Sequence, residues 1–356
     1  MRGRAIYRRI QAFNGNFLVC LLLMVLVFGC KDKTEAVGSE QQKKEIAVKE
    51  QKQEAGATGA RTVELTLYPA KAPEPAQKYQ LLPKAAEQTD ADAAPLYEKA
   101  LQALPQNSQT EQISTWLKTT PDKLPLKQVQ STLQKFHPAM ELLKQAAKCK
   151  QCEWPYLDDD TLSLTLREYR TIAFVLDLQA RVQIAQGRYD RAIDTVQTGF
   201  AMAKHIGNGP TLLEGLVGVG ISGRMCRPLE QFIQGANAPN LYRALRDLPK
   251  PFIDLTEQAE FEGQDIKEKA HRLMNRLDRN IAALQCIEAL RLYASSNDGK
   301  FPNELSDITQ VSVLDDPVMQ KMIIYRRTGS KAFLEVPTAD GTSDRYTFRY
   351  ELSLNK

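Results

Sequence analysis

Apolar side chains recur every three or four residues from about Asp90 to Ala294, and three short apolar runs follow Lys321. The first spacing predicts amphipathic helices and the second set half-buried strands. "DADAAPLYEKALQALP" offers Asp90 or Asp92 as an N-cap and Pro95 in the first turn. Its apolar stripe is Leu96, Ala100, Leu101 and Leu104. "PLKQVQSTLQKFHPAMELLKQAAK" repeats the stripe at Leu126, Val129, Leu133 and Phe136, and Pro138 divides it into two helices. "DTLSLTLREYRTIAFVLDLQARVQIAQ", "YDRAIDTVQTGFAMAKHI" and "PTLLEGLVGVGISGRMCRPLEQFI" each read as one helix. A further long helix runs through "DLTEQAEFEGQDIKEKAHRLMNRLDRNIAALQCIEALRLYASS", with Gly263 as the place where it can break and Asn297-Asp298-Gly299 as its stop. "KMIIYRRTG", "KAFLEVP" and "DRYTFRYELSL" read as three antiparallel strands.

The N-terminus follows a different pattern. Phe17 to Phe28 is unbroken apolar sequence, short of the ~20 residues that a spanning helix needs. Arg2, Arg4, Arg8 and Arg9 precede it, as in the positive region of a secretory signal. Val27-Phe28-Gly29-Cys30 resembles the lipobox of bacterial lipoproteins, with Phe28 standing where a small residue is usual. The resemblance implies cleavage after residue 29 and lipidation of Cys30. An uncleaved anchor helix and ordinary signal cleavage are the competing readings. Lys31 to about Gly59 is rich in Lys, Glu, Gln and Ala and has no aromatic residue. Such a segment has little to bury and reads as a tether with an r.m.s. reach of roughly 30 Å. The expected division is a signal peptide (1–29), a charged tether (30–60), a helical-hairpin domain (61–250) and a long helix with a small sheet (251–356).

Charge narrows the partners. The chain carries 47 basic and 43 acidic residues, a formal +4. Removal of residues 1–29 takes four arginines and no acid, leaving a balanced chain. Nucleic acid is therefore not an expected partner.

Two segments carry further resemblances. "QARVQIAQGRYDRAIDTVQTGFAMA", residues 179–203, resembles one tetratricopeptide repeat, with Gly187 at the corner and Ala192 where helices approach closely. "LYEKALQALPQN", residues 96–107, resembles the end of another, but no 34-residue period runs along the chain. "ALRLYASSNDGKFPNELSDI", then "DDP" and "IIYRRTG", resembles the helix-to-sheet region of pseudopilins (about 285–354), without their N-terminal methylation signal or stem. With "PNLYRALRDLPKPFIDL" before it, the whole is similar to uncharacterised exported bacterial lipoproteins, a likeness that implies no activity. The expected fold is thus mainly α, with stacked, tetratricopeptide-like helical hairpins. A long helix then leads into a small C-terminal three-stranded antiparallel sheet.

Candidate chemistry is sparse. Gly218 to Gly223, "GVGISG", matches the dinucleotide fingerprint, which requires a preceding strand. Gly215, Gly218 and Ser222 also fall on one helix face, as close helix packing needs. Cys149 and Cys152 form a lone C-x-x-C, read as a short-loop disulfide in an exported chain. Free thiols, a metal site completed by Cys226 and Cys286, and a redox pair are the alternatives. His137, His205 and His271 stand alone, the first two read as capping or surface groups. Asp158-Asp159-Asp160 reads as a helix cap. No catalytic, cofactor or metal residue is assigned. Two classes of function remain open. One is a membrane-tethered scaffold that binds an envelope protein. The other is an exported enzyme or ligand-binding protein whose site is assembled from distant residues.

Overall fold

The computed structural model describes residues 61–75, 77–106, 109–155, 157–260, 262–313, 315–336 and 347–355. The signal segment, the tether and Cys30 lie outside the described residues. Residues 57–356 cluster as one compact unit.

The unit is mainly helical. β1 (Arg61–Leu67) comes first, then a short strand, β2 (Thr89–Asp92). α1 (Ala94–Gln102), α2 (Thr110–Lys118), α3 (Leu126–Lys135) and α4 (His137–Ala147) follow. Phe136 alone separates α3 from α4, with Pro138 in the first turn of α4, where its missing N–H costs nothing. β3 (Cys149–Gln151) pairs in parallel with β2. The central layer is α5 (Asp159–Ala185), α6 (Tyr189–Gly207) and α7 (Leu212–Phe232). Asp158 caps α5 by accepting from the Thr161 amide at 3.0 Å. Thr211 and Glu214 close a capping box on α7.

α7 is apolar around most of its circumference and packs against both α5 and α6. A Cβ on Gly218 would stand 2.5 Å from the Gly207 Cα and 2.7 Å from the Ala203 carbonyl. The glycine is there because the α6 and α7 backbones meet. Residues 218–223 are helical throughout, so the dinucleotide reading fails for want of a strand.

After two short helices, α8 (Tyr242–Arg246) and α9 (Thr256–Ala259), α10 (Gln264–Ser296) begins just after Gly263 and packs on α7 and α8. Its last turn closes with Asp298 and Gly299 at positive φ, the Gly299 amide donating back to Ala294.

The three expected strands are present as β4 (Ile324–Thr328), β5 (Lys331–Val336) and β6 (Phe348–Leu354), antiparallel to one another. The sheet itself is four-stranded and mixed, in the order β1-β6-β5-β4, because β1 lies parallel to β6 from Arg61↔Phe348 to Leu67↔Leu354. The expectation of three antiparallel strands is corrected here. Its inner face is regular: Leu65 and Leu67, then Leu352, Tyr350 and Phe348, then Ala332, Leu334 and Val336 are all buried. The Tyr350 hydroxyl lies 3.1 Å from Glu230 Oε1 and 3.2 Å from Asn280 Oδ1, tying the sheet to α7 and α10.

Candidate functional site

The α5–α6 corner is built by local rules. α5 ends in a Schellman motif: the Gly187 amide donates to Ile184 at 2.9 Å and the Arg188 amide to Gln183 at 2.8 Å. Gly187 takes φ +69°, which a glycine reaches without a Cβ penalty. α6 then starts at Tyr189, whose ring meets Phe232 edge-on with centroids 5.3 Å apart. Ala192 is buried where α6 meets its neighbours.

Beside this corner, α3 and α4 face α5 and α6 across an open groove of about 510 Å³. Its apolar floor is Leu133, Met140 and Val182. Gln130 and Gln134 line one wall, Gln179 and Gln183 the other. Each glutamine pair is four residues apart, which stacks the two amides on one face of their helix. The charged lining is Lys144, Arg188 and Arg191 against one carboxylate, Asp194, with His137 also present. Burial first, and the Asp190 charge second, push the Asp194 carboxyl above its usual range. Lys144 and His137 share Glu141, at 2.6 and 3.9 Å. A 510 Å³ groove is within the size range of ligand sites.

A second cluster lies where α1, β3 and α6 meet. The His205 Nε2 is 3.1 Å from the Cys149 carbonyl, which only accepts, so Nε2 carries the proton. Nδ1 then accepts from the Tyr97 hydroxyl at 2.8 Å. The Trp154 indole donates to the His205 carbonyl at 2.8 Å. Tyr97, Trp154, Tyr169 and His205 pack ring to ring at centroid distances of 5.5–5.9 Å. Burial lowers the imidazole pKa to about 4, against the raising effect of its bond to the Cys149 carbonyl. A neutral histidine with both nitrogens engaged is a packing element. His205, in the last turn of α6, is thus a half-buried group packed against Tyr97 and bonded across to β3, not the capping or surface group expected.

Cys149 and Cys152 are unbonded to one another in this structure, Cys149 buried and Cys152 half-buried. Cys149 opens β3 and Cys152 follows its last residue. The Cys149 thiol turns back to the Gln145 carbonyl at 3.6 Å. Burial raises the Cys152 and Cys226 thiol pKa values. Cys226 and Cys286 are buried on α7 and α10, with free thiols. Among the described residues no group of three or more His, Cys, Asp or Glu could hold a metal ion. Among them too, no helix is long and apolar enough to cross a membrane.

Of the groove's polar residues, sequence reasoning singled out His137 alone, as a capping or surface group. The available signal was the glutamine spacing at 130/134 and 179/183, polar pairs interrupting otherwise apolar helix faces. No family model, curated protein or solved structure matches the chain.

Proposed function

We propose that this chain is a lipid-anchored protein of the bacterial cell envelope that works as an interaction module. Cys30 carries the lipid, residues 31–60 form the tether, and the folded unit faces the periplasm. The module binds a segment of another envelope protein in the groove beside the α5–α6 corner. The observation that carries this reading is the groove itself: an apolar floor, amide walls and a cationic rim on helices held by a fixed corner. α5 and α6 form the tetratricopeptide-like unit of this reading, supported by Gly187 at the turn and buried Ala192. The groove's size also favours a second reading, an exported protein that binds a small ligand.

Two measurements test the module. Intact mass of membrane-extracted protein is expected to give a chain beginning at Cys30 with added acyl mass; a full-length, unacylated chain defeats the lipid anchor. A photo-crosslinker at exposed Gln134 in intact cells is expected to trap one envelope protein in stoichiometric amount. A groove that captures nothing at Gln134, Gln130 or Arg191 defeats the interaction reading.

A further inference from the structure

The groove's chemistry also selects its occupant. The buried arginines of this fold are committed. Arg224 is paired with Asp177, Arg279 with Asp316, and Arg291 with Glu288. Arg181, on the same helix as the Gln179–Gln183 wall, is spent on the carbonyls of Trp116, Leu117 and Thr119. Arg188 and Arg191 are different. Both are exposed, both line the groove, and among the described residues neither has a carboxylate within 4.0 Å. They sit three residues apart across the start of α6, so one ligand can meet both. The Arg188 backbone is fixed by its Schellman bond, so the first guanidinium springs from a set point.

The walls define the rest of the ligand. The Gln130, Gln134 and Gln179 amides make no hydrogen bond among the described residues. Gln183 has its Oε1 taken by the Thr195 hydroxyl at 2.8 Å, which leaves its N–H groups to donate. A primary amide presents two donors and an acceptor, the complement of a peptide's N–H and C=O. A compact anion such as phosphate, with at most two O–H donors, leaves most of the amide acceptors unused. A peptide backbone uses them, and its N–H is a partner for Asp194. Leu133, Met140 and Val182 accept the methylene stems of acidic side chains.

We propose that the groove binds an extended acidic peptide segment, with side-chain carboxylates on Arg188 and Arg191 and backbone groups on the glutamine amides. This rests on the interaction-module reading of the same site. The test uses the full chain in detergent and a fluorescent, N-acetylated, C-amidated hexaglutamate peptide, read by anisotropy. Hexaglutamine and hexalysine are the comparison peptides. Hexaglutamate is expected to bind best and to weaken as salt is raised. The double variant Arg188→Gln/Arg191→Gln is expected to weaken binding about tenfold, as loss of two charge-assisted bonds at an exposed site requires. Gln134→Glu, which adds a negative charge to the wall, is expected to weaken it too, while Arg326→Gln, an exposed arginine on β4, leaves it unchanged. Unchanged binding in both groove variants overturns the assignment. Displacement by free glutamate at equal concentration overturns a peptide in favour of a small dicarboxylate. Hexaglutamine or hexalysine binding as tightly as hexaglutamate overturns the acid preference. If hexaglutamate fails but the Gln134 crosslink still captures a partner segment, only the ligand class falls; if both fail, the module falls with it.

Discussion

Arg291 and Glu288 form an ion pair one turn apart on α10 in which neither side chain has any solvent exposure. The Arg291 Nη1 lies 3.0 and 2.9 Å from the two Glu288 carboxylate oxygens. Its remaining donors go to the Tyr68 carbonyl at 2.9 Å and the Ala238 carbonyl at 2.8 Å. The pair therefore stitches the chain just after β1 and the loop after α7 onto α10. Removing one partner of a buried pair leaves the other charge uncompensated, at a cost of about 3–5 kcal/mol. Arg291→Met is expected to lower unfolding free energy by that amount in urea titration. Arg291→Met/Glu288→Leu is expected to recover part of the loss. A single-variant loss near zero would show that the pair is not buried as described.

The half-buried histidine sets a pH dependence. The His205 pKa is lowered to about 4 in the fold, against about 6.5 in an unfolded chain. Between those values the unfolded chain binds a proton and the fold does not, so stability rises with pH across that window. The contribution is fully present above about pH 6.5, reaches at most about 3 kcal/mol, and is lost as pH falls toward 4. Asp278 runs the other way. Its carboxyl is pushed up to about 6, mainly by burial, so its contribution fades as pH rises through 6. The clean observable is the difference between the wild-type chain and His205→Asn, in which the Asp278 effect cancels. The urea midpoint of wild type is expected to fall more steeply from pH 7 to pH 4.5 than that of the variant. Parallel slopes would remove His205 from the account.

Two glycines on α7, Gly218 and Gly223, separate packing from local propensity. Gly218→Ala drives a methyl into the α6 backbone, and overpacking of that kind costs about 1–3 kcal/mol. Gly223 has nothing within 4 Å of an added Cβ, and alanine in a helix interior is favoured by about 1 kcal/mol. Thermal melts are expected to move in opposite directions for the two variants. A Gly218→Ala protein that melts like wild type would mean that α6 and α7 do not cross there.

Thiol chemistry tests the β3 corner. Cys149, Cys226 and Cys286 are buried and Cys152 is partly so, its thiol pKa raised by burial. Native protein is expected to react slowly with iodoacetamide at all four positions, and denatured protein, without reductant, to be alkylated at all four. If Cys149 and Cys152 resist alkylation after denaturation, they are oxidised to a disulfide in the isolated protein.

Most helices were legible because their burial follows a 3.6-residue period, and α5 announced its start with Asp158. The three C-terminal strands were legible through their runs of β-formers between turn residues. β1 was not, although Val63, Leu65 and Leu67 alternate, because its partner lies 287 residues away and pairing at that range leaves no local trace. β2 and β3 are too short and polar to carry a period. His205 looked like a lone end-of-helix group because its partners Tyr97 and Trp154 lie 108 and 51 residues away. The groove was hidden for the same reason. Its amides come from α3 and α5, and no stretch of sequence contains both walls.

The pairing of β1 with β6 also sets an order of events. Among the described residues β1 pairs with β6 alone, and β6 is synthesised 287 residues later. Until β6 arrives, β1 has no ladder to join and Leu65 and Leu67 have no sheet to complete. A chain that stops short of Phe348, whether by a nonsense codon or a protease, forfeits β1 together with β6.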